Sequence, residues 1–193
     1  MKKIILLLLA GITTMLCRSG QAEAGHDAAL QWQAARLSEH AMAQYSRGRL
    51  EEAKADFEAA RVSLAKLVGP CAPVTLDVRN NYAAVLFAMG DLAGAEVEHR
   101  RTMALRDRTL GRLHMEAIAS RHNLALTLMF EGKYEEALTK ERCVESARRH
   151  LLGRNDPKSR QARRLRMLIE DAMKNGKPSS VPSGLGTSPV LKA

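Results

Sequence analysis

Three segments of this chain repeat one pattern at a fixed distance. EHAMAQYSRGRLEEA (39–53), NYAAVLFAMGDLAGA (81–95) and NLALTLMFEGKYEEA (123–137) follow one another at forty-two residues. Superposed, they align Ala41 with Ala83 and Ala125, Gly48 with Gly90 and Gly132, Leu50 with Leu92 and Tyr134, and Ala53 with Ala95 and Ala137. Self-similarity at a period of this size is the signature of a repeat architecture, and it rules out most other folds before any single residue is considered.

Each unit parses as two helices joined at the glycine. In the third, Glu116 to Glu131 places Ile118, Leu124, Ala125, Leu128 and Met129 on one apolar stripe. Gly132 then falls where a positive φ is wanted, and Tyr134 to Leu152 forms the second helix, which Gly153 stops. Glycines at 69, 111 and 153 follow the second helices, and Pro73, Met115 and Pro157 stand in register in the links, the prolines suiting a first helical turn. Beyond residue 24 the chain is poor in Pro, β-branched and aromatic residues and rich in Ala, Leu, Glu, Arg and Met, which favours helix. The in-register alanines mark close helix crossings, where a larger side chain costs about 1–3 kcal/mol. No unit buries its stripe alone, so the units must stack.

The runs NNYAAVLFAMGDLAGAE and LGRLHMEAIASRHNLALTLMFEGKYEEALTKE resemble tetratricopeptide repeats, in the forty-two-residue variety typical of kinesin light chains. The family pattern is met at Leu110-Gly111, His114-Met115, Asn123-Leu124-Ala125, Gly132-Lys133-Tyr134 and Glu135-Glu136-Ala137, and the resemblance covers residues 29 to 174. It implies an all-α, right-handed solenoid of about three repeats, near 29–68, 74–110 and 116–152, with a capping helix at 156–174. The first unit is the most divergent, with Glu39-His40 where Asn-Leu or Asn-Tyr stands later. The last helix begins a fourth unit without completing it. Leu165, Leu168, Ile169 and Ala172 line one face and Arg160, Arg163 and Arg164 roughly the opposite one, as befits a cap.

The ends read differently. Lys2, Lys3, the apolar run Ile4 to Cys17 and the small-residue site Ala22-Glu23-Ala24 predict a signal peptide, residues 1–24, cleaved before Gly25. A membrane anchor is the rival reading, but the run is short for a span and Arg18 closes it. A lipoprotein reading of Cys17 ranks lower, because Met15 and Leu16 stand where small residues are wanted. A periplasmic or secreted location follows as the expectation. The segment 175–193, rich in Pro, Ser and Gly, is expected to be disordered. Cys71 and Cys143 remain after cleavage, too far apart in the repeat arrangement to be expected to pair with each other.

Charge is lopsided. From Gly25 to Thr139 there are 14 Lys/Arg against 15 Asp/Glu, but from Lys140 to Arg166 the count is 10 against 3. A basic end on a neutral body points to an anionic partner or surface, or to a solvated terminal face. The six histidines form no HExxH and no spaced metal pair, the glycines punctuate helices without forming a phosphate loop, and no serine or cysteine sits in a nucleophile motif. The expectation is a non-enzyme without a cofactor or metal.

In tetratricopeptide arrays the first helices line a concave surface that holds extended peptides, and an asparagine before the Leu-Ala pair often bonds the bound backbone. The resemblance carries this role to Asn81 and Asn123, with Asn80 and His122 beside them. An amide offers both a donor and an acceptor to a peptide unit. Farther along the same face come Ala84 and Phe87, then Leu126 and Met129, with Met42 and Tyr45 in the first unit and Arg164 at the groove edge. The expected function is an exported scaffold binding a protein or peptide in this groove. The alternatives are a surface protein docking on anionic lipid or polysaccharide through its basic C-terminal helices, and an oligomerising accessory subunit. No nucleic-acid partner is expected.

Overall fold

The computed structural model describes residues 32–176, and the predicted leader and almost all of the predicted tail lie outside them. Among the described residues there are seven helices and no strand. They are α1 (32–46), α2 (Leu50–Leu67), α3 (Pro73–Ala88), α4 (Leu92–Thr109), α5 (Met115–Phe130), α6 (Tyr134–Leu152) and α7 (Pro157–Asn175).

The turns explain why the helices have these lengths. Positive-φ glycines stand at 48, 69, 90, 111, 132 and 153, one every twenty-one residues, so both turn types share one half-period. Within a hairpin the closure is the same each time. The amide of Arg49 donates to the carbonyl of Gln44 (2.9 Å), that of Asp91 to Leu86 (3.0 Å) and that of Lys133 to Leu128 (2.9 Å). This six-to-one bond around a left-handed residue satisfies carbonyls that a helix end leaves open. Starts are also specified: Pro73 and Pro157 occupy a first turn, and the Asp91 and Asp156 carboxylates accept from the amides of Gly94 (2.9 Å) and Lys158 (2.8 Å).

The helices form two layers, with each helix packed against its neighbours in sequence. Contacts between α1 and α3, and between α3 and α5, join the first helices; Phe87 and Phe130 meet edge to face at 5.0 Å between their ring centroids. Ion pairs from Glu96, Arg100 and Lys133 to Glu136 or to one another tie α4 to the start of α6 in the second-helix layer. Ala41, Ala83, Ala125, Ala53, Ala95 and Ala137 are all wholly buried. One apolar core runs from Ala34 on α1 through Phe57, Val85, Leu124 and Leu128 to Leu165 and Ile169 on α7.

Burial on α3 and α5 goes beyond the expected stripe. Residues 78–87 and 120–129 are each an unbroken buried run, long enough to include every side of the helix. Polar residues are therefore drawn into the interior, and the candidate site is made of them.

Candidate binding face

Register places the candidate side chains, and packing decides what each can do. Asn80 and Asn123, on α3 and α5, meet directly: Asn123 Nδ2 donates to Asn80 Oδ1 at 2.9 Å. Asn81 Nδ2 points to the Met42 sulfur on α1 at 3.9 Å, so the amides bridge consecutive first helices. Asn123 Oδ1 is buried and has no partner among the described residues. A buried acceptor without a donor costs about 1–3 kcal/mol, which makes this oxygen the outstanding polar group of the face.

His122 turns toward its own second helix. Its Nδ1 lies 2.9 and 3.0 Å from the two carboxylate oxygens of Glu141, which is wholly buried on α6. Burial raises the Glu141 pKa, and His122 opposes the shift. Phe87 and Met129 are buried core members. Asn80, Asn81, His122, Asn123, Phe87 and Met129 are thus all closed to solvent, and only Arg164 of the predicted set is exposed. Arg164 lines a cleft of about 390 Å³ together with Pro157, Lys158, Arg160 and Gln161.

Several buried groups were not singled out by the sequence reading. Arg106 and Arg148, forty-two residues apart on α4 and α6, each reach into the next first helix. Arg106 donates to the Glu116 carbonyl (3.4 Å) and Ser120 (2.8 Å), and pairs with Asp77; Arg148 donates to the equivalent Lys158 carbonyl (3.1 Å). Arg121 bonds within a link in the same way, donating to the carbonyl of Arg112 (3.4 Å), and the half-buried Arg163, expected on the outer face of the last helix, donates to the equivalent Arg154 carbonyl (3.2 Å). Equal spacing of these arginines is the signal that would have found them. His99, in register with Glu141, is wholly buried with neither ring nitrogen bonded among the described residues.

The basic segment is consequently not one continuous exposed stripe. Arg148 is buried at 3%, Arg166 is bonded to Glu145 and Glu170 (both 2.6 Å), and Arg142 pairs with Glu170 at 3.3 Å. Exposed cationic groups are left at Arg149, Arg154, Lys158, Arg160 and Arg164. Cys71 is half-buried and Cys143 exposed, and both thiols are free. No cluster of three or more His, Cys, Asp or Glu side chains among the described residues is arranged to hold a metal ion. No helix among them is long and apolar enough to cross a membrane.

Comparison with known proteins agrees with this geometry. A family model described as tetratricopeptide repeat matches residues 74–157. No curated protein matches the sequence. Among solved structures, a kinesin-light-chain-like protein of Podosopora anserina with nearly identical TPR-like repeats aligns with a TM-score of 0.64 at 22% identity, covering 74% of this chain and 67% of that one. A point variant of the same protein aligns at 0.66 and 23%, with the same coverage. At such identity the likeness speaks to the fold alone. Hairpins of equal length, closed by the same turn bond and matched by the repeat model over residues 74–157, lead to one conclusion: this stretch carries tetratricopeptide repeats, and the described helices have the tetratricopeptide-repeat fold.

Proposed function

We propose that the protein is an exported scaffold that binds a protein or peptide segment along the shared face of its first helices. The repeat fold supports the scaffold role in general. The observation that carries the choice of face is the Asn123 side-chain oxygen Oδ1, a buried acceptor left without a donor among the described residues at the position where the family resemblance predicts a contact with a bound backbone. A partner amide there would meet an unmet need without breaking the Asn80 bond, which uses the other end of the same side chain. Because the face is closed, binding requires it to open, and the apparent affinity falls by the fraction of molecules that are open.

One experiment addresses the partner and the export together. The full-length gene is expressed with a C-terminal tag, and the periplasmic fraction is taken for mass measurement and partner capture. The expected N-terminus is Gly25, and a co-purifying protein should disappear with Asn123→Ala while helical circular dichroism persists. Retention of Met1 on a cytoplasmic product refutes export. Undiminished capture by Asn123→Ala refutes the face.

A further inference from the structure

Equivalent positions lie forty-two residues apart, so the surface that each first helix offers to its own second helix can be followed along the chain. In the second unit it includes Leu76, Asn80 and Ala83; in the third, Ile118, His122 and Ala125. All six are buried. In the third unit α6 provides the cover: Val144 packs with Ile118, and Glu141 binds His122. On α7 the same positions hold Arg160, Arg164 and Met167, and all three are exposed, Met167 at 57%. No second helix follows α7 among the described residues, where Gly176 takes a left-handed conformation just past its end.

The charges on α7 divide sharply. Arg163 and Arg166, on the flank facing α6, are tied to Glu145 at 3.6 and 2.6 Å. Arg160 and Arg164 make no ion pair among the described residues. With Lys158 they surround the 390 Å³ cleft, where no acidic residue is among the lining groups. A neighbouring methionine supplies a flexible apolar contact of the kind that suits interfaces accepting more than one shape.

We propose that α7 is the seat for an acidic amphipathic helix of a partner protein, which completes the fourth hairpin in trans. The register also specifies that helix. On α6 a small residue (Ala137), an acid four positions on (Glu141) and an apolar residue three beyond (Val144) face the first helix of the unit. Opposite α7 the acid meets Arg164, and the third position must also be acidic because Arg160 replaces Ile118. Residues 177–193 contain no Asp or Glu, so the chain's own C-terminal segment lacks the required charge. The described second helices α2, α4 and α6 are already held in their own hairpins, and the proposed helix comes from a different protein. This inference stands on α7 alone, and failure of the Asn123→Ala experiment does not touch it.

The test uses the full chain and a labelled peptide of the α6 sequence, Tyr134–Leu152, carrying Val144→Glu. Fluorescence anisotropy should give saturable binding that weakens as salt is raised, since screening shortens the reach of charges to about 8 Å near physiological ionic strength. Arg164→Glu should weaken it at least about tenfold, a change of roughly 1.4 kcal/mol. A second peptide with Glu141→Arg should recover binding to that variant. Circular dichroism should be unchanged, because Arg164 is exposed and makes no hydrogen bond or ion pair among the described residues. Absence of saturable binding, or binding indifferent to Arg164→Glu, overturns the proposal. Dimers in light scattering that Met167→Glu dissolves would assign the face to a second copy instead. Binding to phosphatidylglycerol vesicles without binding to the peptide would assign it to lipid. Either of these outcomes also overturns it.

Discussion

His99 concentrates the energetic problem of a polar residue in this core. It is wholly buried, no described group bonds its ring, and burial, with the Arg106 charge adding to it, lowers its pKa to about 3. The unfolded chain binds a proton at His99 below its ordinary pKa near 6.5, whereas the folded chain refuses it down to about 3. Stability from this residue is therefore full above pH 6.5 and is lost as pH falls between those two values. At pH 4.5, two units below the ordinary value, the loss should be about 3 kcal/mol, taking 1.36 kcal/mol per unit. Urea unfolding of wild type and His99→Leu at pH 7.5 and 4.5 checks it. The difference between the two proteins should grow by about that amount in favour of the variant at the lower pH, and parallel pH profiles would refute the assignment. Sequence reasoning set the register of the candidate residues but not their surroundings. The forty-two-residue register set Asn81, Asn123 and their neighbours on equivalent positions, but register says nothing of what lies over a face. Six of the seven candidates are buried for that reason. Arg106 and Arg148 were missed for the converse reason: arginine is read as a surface residue by default, although their equal spacing was visible.

Helices and turns were far more legible. The expected span Glu116–Glu131 is observed as Met115–Phe130, one residue earlier at each end, and Tyr134–Leu152 is observed as expected. The last helix runs from Pro157 to Asn175, with Asp156 capping it from outside. Glycine and proline make this possible because their backbone limits act locally, whatever packs around them. Gly132 offers a clean measurement of that local effect. Its φ is +78°, and a Cβ placed there meets no atom within 4 Å, so substitution strains the backbone without crowding anything. Gly132→Ala should reduce stability by about 1–2 kcal/mol, and Gly132→Asn by less, since asparagine visits the left-handed region more readily. Chemical denaturation of the three proteins reads this directly. Equal stability of the alanine variant would mean that the turn relaxes into another conformation.

At the scale of the whole molecule, the fold behaves as a row of neighbours if each unit touches only those beside it, and its stability is then a sum of unit and interface terms. The packing of α7 makes this measurable. α7 meets chiefly α6, with a small contribution from α5; it buries Leu165 and Ile169 and closes the cluster of Ile118, Val144 and Ala162. It also supplies the Lys158 carbonyl that accepts from the buried Arg148. Removing the chain after Gly153 would uncover Val144 and Ile118 and leave that guanidinium without this acceptor. Burial of one such aliphatic side chain contributes about 1.5–3 kcal/mol, so the third unit should lose several kcal/mol. The second unit lies one interface farther away and should lose little. Hydrogen exchange on the intact and shortened chains separates the two possibilities: amides of α5 and α6 should exchange much faster after truncation, while those of α2 and α3 change least. Uniform acceleration from α2 to α6 would reveal a single cooperative bundle. The proposed partner helix bears on the same distinction, because a row leaves the face of α7 that is exposed among the described residues open to a further helix, and a closed bundle would not.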